Sequence, residues 1–288
     1  MSFDTCWECR NKETDVDRRS FIASGVVAAI GLEAAKAQSV TGQVAPPGTF
    51  SASFAPKLKP GQPKFKIAMI VFDNMTNQDF VGPNDVLAKV GVADIHVLAK
   101  SLDPVRTDAR GRILADRAIR DADTEYDMLF IGGGGGVNAL MEDAEVIDFL
   151  RTRATTAKYV TSVCTGALVL GAAGLLKGYK AATHWASMDV LPIFGAIPTK
   201  QRVVIDRNRI TGGGVTAGLD FGLTVVSHIW GDQFAELIQL GLEYDPQPPF
   251  NAGSVDKAPA QVAAEAKAMF APSTNARLEI ARRVAARR

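Results

Sequence analysis

Short runs of apolar residues alternate along the chain with longer segments whose apolar positions recur at helical spacing. Residues 66–72 (KIAMIVF) and 126–131 (YDMLFI) are dominated by apolar residues on both parities. That is the pattern of strands covered on both faces of a parallel sheet. Residues 95–100 and 159–163 read as further strands. Helices are predicted over 78–90 (interrupted at Gly82-Pro83), 142–155 and 165–173, the last ending near Gly174. Residues 105–117 predict a hairpin turning at Ala109-Arg110-Gly111, and 203–206 with 209–211 predict a second. Helices over 216–230 and 233–242 close the domain. Strands alternating with helices give an α/β fold class, a three-layer sandwich around a mostly parallel sheet.

The two ends of the chain follow other patterns. Asp17-Arg18-Arg19-Ser20-Phe21-Ile22 resembles a twin-arginine export motif, and an apolar run from Phe21 to Leu32 follows. That run is too short for a bilayer core of ~30 Å. Ala35-Lys36-Ala37 offers the small residues that a signal peptidase reads, placing the cut before Gln38. Residues 1–37 are therefore expected to be a signal peptide and the mature chain periplasmic, in a Gram-negative cell, with no membrane anchor after cleavage. Residues 38–64, rich in Pro, Gly, Ser and Ala, predict a flexible linker, and 65–244 the catalytic domain. Residues 245–288 form a helical extension after the breaker at 245–249, predicted to be surface or dimer-packing helices. The extension lacks the apolar pattern of a helix-turn-helix pair. A formal net charge of +1 gives no reason to expect nucleic acid as a partner.

Cysteine usage sharpens the chemistry. Cys6 and Cys9 fall in the signal segment, so the mature chain keeps Cys164 alone and cannot close an internal disulfide. Cys164 ends a β-rich run and is followed by small residues opening a helix, in Ser162-Val163-Cys164-Thr165-Gly166. A strand–nucleophile elbow–helix pushes its side chain out at the carboxyl edge of a sheet. The helix start is expected to lower the thiol pKa. Gly132–Gly136 follow a buried strand directly. Their N–H groups, those of Gly133, Gly134 and Gly135 in particular, are expected to line a substrate and oxyanion crevice. Asp79, just after the first strand in an apolar stretch, is expected to have a raised pKa and to carry a proton.

Taken in order, these segments resemble the ThiJ/PfpI superfamily, of the isonitrile hydratase type. The resemblance rests on Asp79-x-x-Gly82-Pro83, Asp127-Met-Leu-Phe-Ile with the glycine loop, and Ser162-Val-Cys-Thr-Gly166. It continues through Leu170–Leu176, Thr183-His184-Trp185 and Gly212-Gly-Gly-Val-Thr-Ala-Gly-Leu-Asp220, spanning about residues 66–242. It implies a fold of the class I glutamine amidotransferase-like, flavodoxin-like kind. It also implies a nucleophile at Cys164, an acid at Asp79, and the cysteine's hydroxyl partner at Thr165. The implied reaction needs no metal or organic cofactor, takes a small-molecule substrate, and belongs to a homodimer. Protease- and deglycase-like members place His directly after the nucleophile, where this chain has Thr165. His184 is expected beside the crevice, and His96 and His228 in apolar runs are expected to be structural. Another thiol-dependent hydrolase or glyoxalase-like activity, and an oxidisable sensor thiol, stay open as alternatives.

Overall fold

A computed structural model describes residues 48–287; the export motif, its cleavage site, Cys6, Cys9 and the start of the expected linker lie outside the described residues. Seven strands form one sheet: β1 (Phe65–Ile70), β2 (Ala93–Ala99), β3 (Arg117–Ala118), β4 (Met128–Ile131), β5 (Tyr159–Val163), β6 (Val203–Asp206) and β7 (Arg209–Gly212). Their order across the sheet is β6-β7-β5-β4-β1-β2-β3. Every neighbouring pair is parallel except β6 and β7. Besides a single turn at Val137–Leu140, the helices are α1 (Asn77–Leu87), α2 (Ala144–Arg153), α3 (Gly166–Ala172), α4 (Ala217–Trp230), α5 (Asp232–Gly241) and α6 (Ala260–Ala285). A 3₁₀ helix spans Trp185–Phe194. One layer contains α1, α4 and α5; α2, α3, the 3₁₀ helix and α6 cover the other face. None of the described helices is long and apolar enough to cross a membrane.

Helices on both faces explain the apolar runs. Met128, Leu129, Phe130 and Ile131 of β4 and Ile67, Ala68, Met69 and Ile70 of β1 are essentially without solvent exposure. Each large side chain so buried contributes roughly 1.5–3 kcal/mol relative to exposure. From β1 the chain steps to β2 and β3 on one side, then returns as β4 on the other. This reversal makes the carboxyl ends of β1 and β4 a topological switch point, the place where α/β sheets bind ligands.

Local differences from the sequence expectation have physical causes. Helix α1 runs unbroken through Pro83. Gly82 and Pro83 serve its packing on α4 instead: a Cβ on Gly218 would lie 2.9 Å from Pro83 Cδ, so the small residues let the two helices close up. Of the expected hairpin only Val105–Arg106 and Arg112–Ile113 pair with each other; Arg117–Ala118 leaves to become β3, parallel to β2. Helix α2 starts later than expected, because Asp143 caps it by accepting the Val146 N–H at 3.2 Å.

The expected linker is anchored at Phe50 and Ala55, while residues 57–64 are exposed. The Phe50 N–H donates to the Lys89 carbonyl at 3.1 Å, and its ring lies over Gly241, where a Cβ would be 2.1 Å away. The carboxyl-terminal extension forms one helix, α6, and it packs on the 3₁₀ helix through Phe270, Thr274, Arg277 and Ala281. Its inner face is part of the domain, not a free surface.

Candidate active site

Three chain segments meet at the carboxyl edge of the sheet: the first turn of α1 after β1, the glycine loop after β4, and the elbow after β5. Cys164 has φ = 57°, a left-handed conformation unusual for a residue with a side chain. The surrounding backbone holds it there. Its N–H donates to the carbonyls of Gly212 (3.1 Å) and Gly213 (2.7 Å), and Thr183 Oγ1 donates to its carbonyl at 2.8 Å. Gly166 lets α3 begin against the end of β4, since a Cβ there would lie 2.3 Å from the Ile131 carbonyl oxygen. The result is a cysteine only 4% exposed.

Asp79 is fully buried in the first turn of α1, beside that thiol. Its Oδ2 accepts the Gly133 N–H at 2.8 Å, while Oδ1 has no conventional hydrogen-bond donor. The Cys164 thiol is the carboxyl's other polar neighbour, a looser contact that still acts on the ionisation of both groups. Burial raises the Asp79 pKa to about 7, against the opposing pull of the Gly133 amide and the thiol.

The thiol departs from the sequence expectation. Burial first, and the Asp79 charge second, push the Cys164 pKa up, against a smaller opposing pull from the Thr165 and Val215 backbone amides. Two acids enclosed together cannot both ionise easily. The pair therefore holds two protons below about pH 7 and shares one above it. A free low-pKa thiolate is not what this enclosure favours.

The glycine loop also does something other than expected. Three of its N–H groups are already engaged: Gly133 with Asp79, Gly134 with Thr165 Oγ1 at 3.0 Å, Gly136 with the Asn74 carbonyl at 3.2 Å. Gly135 is exposed. The loop is thus a scaffold that fixes the acid and the elbow, with the Gly133 and Gly134 amides already spent within the protein. Likewise the Thr165 hydroxyl, expected at the sulfur, faces Gly134, and the Thr165 backbone amide is what acts on the thiol's ionisation.

His184 caps the 3₁₀ helix, its Nδ1 accepting the Ala186 N–H at 3.3 Å, and it stacks among Trp185 and Phe270. Burial and the nearby Arg277 charge lower its pKa, so it stays neutral. It touches Gly214, the residue before Val215, and makes no hydrogen bond to Cys164 or Asp79. His96 bonds Tyr126 and Asp94, and His228 packs on Tyr159, both as structural residues. Val215, Thr183 and Arg277 belong to the site without having been singled out for it. Thr183 and Val215 sit in the segments that carry the family resemblance, whereas nothing in the sequence distinguishes Arg277 from its neighbours.

Comparison with known proteins agrees with this geometry. A model of the DJ-1/PfpI family matches residues 65–228. Isonitrile hydratase of Pseudomonas putida is 47% identical over 222 residues, which is 77% of this chain and 97% of that protein. A ThiJ/PfpI family protein from Pseudomonas syringae has a crystal structure with a TM-score of 0.75. It is 48% identical, over 77% of this chain and 92% of that one. The glutathione-independent glyoxalase DJR-1.2 of Caenorhabditis elegans is 27% identical, over 52% of this chain and 80% of that protein. With its sheet order, its elbow and its sequence all in agreement, the chain belongs to the DJ-1/PfpI family.

Proposed function

We propose that the chain is a cysteine-dependent hydratase that converts small isonitriles to N-substituted formamides. The observation that carries the reading is the buried Asp79–Cys164 pair, which shares one proton above about pH 7. An isonitrile needs both partners at one atom, because its terminal carbon accepts a nucleophile and a proton together. As Sγ bonds to that carbon, the thiol proton passes through Asp79 onto the same carbon, giving a thioimidate, R–N=CH–S–Cys164. Water then adds to the carbon, Asp79 relaying its proton to nitrogen. Collapse breaks the C–S bond, returns a proton to the pair and releases R–NH–CHO. The sum is one isonitrile plus one water to one formamide.

Access supports the same substrate class. Cys164 is 4% exposed and Asp79 not at all, so a slim, linear end group suits the site better than a branched carbonyl. The similarity to an isonitrile hydratase over nearly that protein's whole length points the same way. In the same reading the chain is exported by the twin-arginine route, acts in the periplasm from about Gln38 onward, and works as a homodimer.

The test is direct. Purified chain is incubated with cyclohexyl and phenyl isonitrile, and separately with methylglyoxal, while formamide and lactate are quantified. Formamide at catalytic turnover supports the proposal; lactate without formamide replaces it with a glyoxalase-like activity.

A further inference from the structure

Arg277 is 7% exposed on α6, beyond the stretch that the family model matches. Its Nη1 donates to Ser187 Oγ at 3.2 Å and its Nε reaches no acceptor. No carboxylate pairs with it among the described residues, and burial lowers its pKa. A guanidinium enclosed in this way is costly unless an anion joins it.

Its position is fixed by its neighbours. Phe270, Thr274 and Arg277 lie on one face of α6, by the three- and four-residue spacing of a helix. Phe270 packs on His184 and Trp185, with ring centres 5.1 and 5.4 Å away, and Thr274 Oγ1 donates to the Ala186 carbonyl at 2.7 Å. These anchors grip the turn that follows Thr183, whose hydroxyl holds the Cys164 carbonyl. Arg277 bonds Ser187, whose N–H donates to the His184 carbonyl at 2.8 Å, and His184 follows Thr183; from there the Arg277 charge acts on both His184 and Cys164. It makes no hydrogen bond to the sulfur, whose ionisation answers to Asp79 and to the Thr165 and Val215 amides.

We propose that Arg277 seats a carboxylate on the substrate, so that this chain favours isonitriles that carry an anion over neutral ones. For the reacting end this rests on the hydratase reading above. The charges around the site then orient the molecule. Asp79 repels a carboxylate from the sulfur, Arg277 attracts it, and the isonitrile carbon is left facing Cys164. A planar guanidinium matches a carboxylate with paired hydrogen bonds, and neutral His184 brings no competing charge.

The experiment compares 4-isocyanobenzoate with its methyl ester, using the full chain and the variants Arg277→Gln and Arg277→Lys, each first checked for a normal melting transition. Wild type is expected to favour the acid about 10- to 100-fold in kcat/KM, the range of a charge-assisted contact. Arg277→Gln brings the ratio close to one, and Arg277→Lys restores part of it. No preference in the wild type, or a ratio unchanged in Arg277→Gln, overturns the proposal. Alkylation of Cys164 by iodoacetate relative to iodoacetamide reads the same seat without any isonitrile. That ratio falls about 10-fold in Arg277→Gln if the seat exists, and an unchanged ratio overturns it. If neither isonitrile is turned over while the alkylation ratio still falls, the hydratase reading fails and the anion seat stands.

Discussion

Gly133 donates its backbone N–H to Asp79 Oδ2 at 2.8 Å while its Cα lies hard against Thr165. A Cβ at Gly133 would be 2.4 Å from the Thr165 nitrogen and 2.5 Å from its Oγ1. One glycine thereby sets the distance between the acid on α1 and the elbow before α3.

Gly133→Ala must push the elbow away from Asp79. Overpacking of this kind costs roughly 1–3 kcal/mol in stability. A displacement near 1 Å at a reacting centre costs about 10² in rate. The variant is expected to fold with a lowered Tm and to lose most formamide production. Gly135→Ala is the control, since a Cβ there meets nothing closer than 3.7 Å. Equal losses in both variants would show that the loop acts through general flexibility and not through this contact.

Asp79 should make stability depend on pH in an unusual direction. Its folded-state pKa, about 7, lies above the ordinary value of 3.8. Between those values the folded chain keeps a proton that the unfolded chain has lost. Stability from this group is therefore full below about pH 4, declines as pH rises toward 7, and stays lowered above it. At about 1.4 kcal/mol per pKa unit, the loss is on the order of a few kcal/mol. Asp79→Asn removes the titration but can still accept the Gly133 amide. Melting curves should show Asp79→Asn more stable than wild type at pH 8, with the gap closing toward pH 4. A gap independent of pH would mean that Asp79 is not a buried, titrating acid.

The central strands are legible in the sequence because both faces are covered, so apolar residues fill consecutive positions at 67–71 and 128–131. The elbow is legible because Cys164 stands between a β-rich run and small helix-opening residues. Other parts of the site are not announced by residue type. Val215 contributes a backbone N–H, which any residue but proline supplies. The Thr165 hydroxyl turns to Gly134 because the loop amide needs an acceptor, a tertiary fact with no local signature. Arg277 is one basic residue in an Ala- and Arg-rich tail, and only the packing of α6 on the 3₁₀ helix brings it near Cys164. The thiol pKa departs from the sequence expectation for a related reason: a helix start is visible in sequence, whereas full enclosure beside a carboxyl is not.

Export leaves a covalent record. If Arg18-Arg19 and Ala35-Lys36-Ala37 act as proposed, intact mass of periplasmic material should correspond to a chain starting at or near Gln38. Arg18→Lys with Arg19→Lys should hold full-length chain in the cytoplasm. Full-length protein found solely in the cytoplasm of the unaltered strain would remove the localisation.

The last prediction concerns the proton that Asp79 and Cys164 share. The reactive form of the pair has lost one proton and kept the other, because sulfur must attack while a proton remains to reach the carbon. That form appears as pH rises through about 7, the Asp79 value, and persists well above it because burial and the Asp79 charge hold the second proton. With an isonitrile as substrate, kcat/KM should therefore climb through about pH 7 and then level off. Asp79→Asn cannot relay a proton, so it should lose the limb near 7 and about 10²–10⁴ in rate. Cys164→Ala should abolish turnover. Cys164→Ser should lose nearly all of it, since a hydroxyl gives up its proton to a carboxylate far less readily than a thiol does. A pH–rate profile with the same limb in Asp79→Asn would assign that ionisation to another group. Near-normal turnover in that variant, with Cys164→Ala dead, would leave the thiol as nucleophile and take the proton relay away from Asp79.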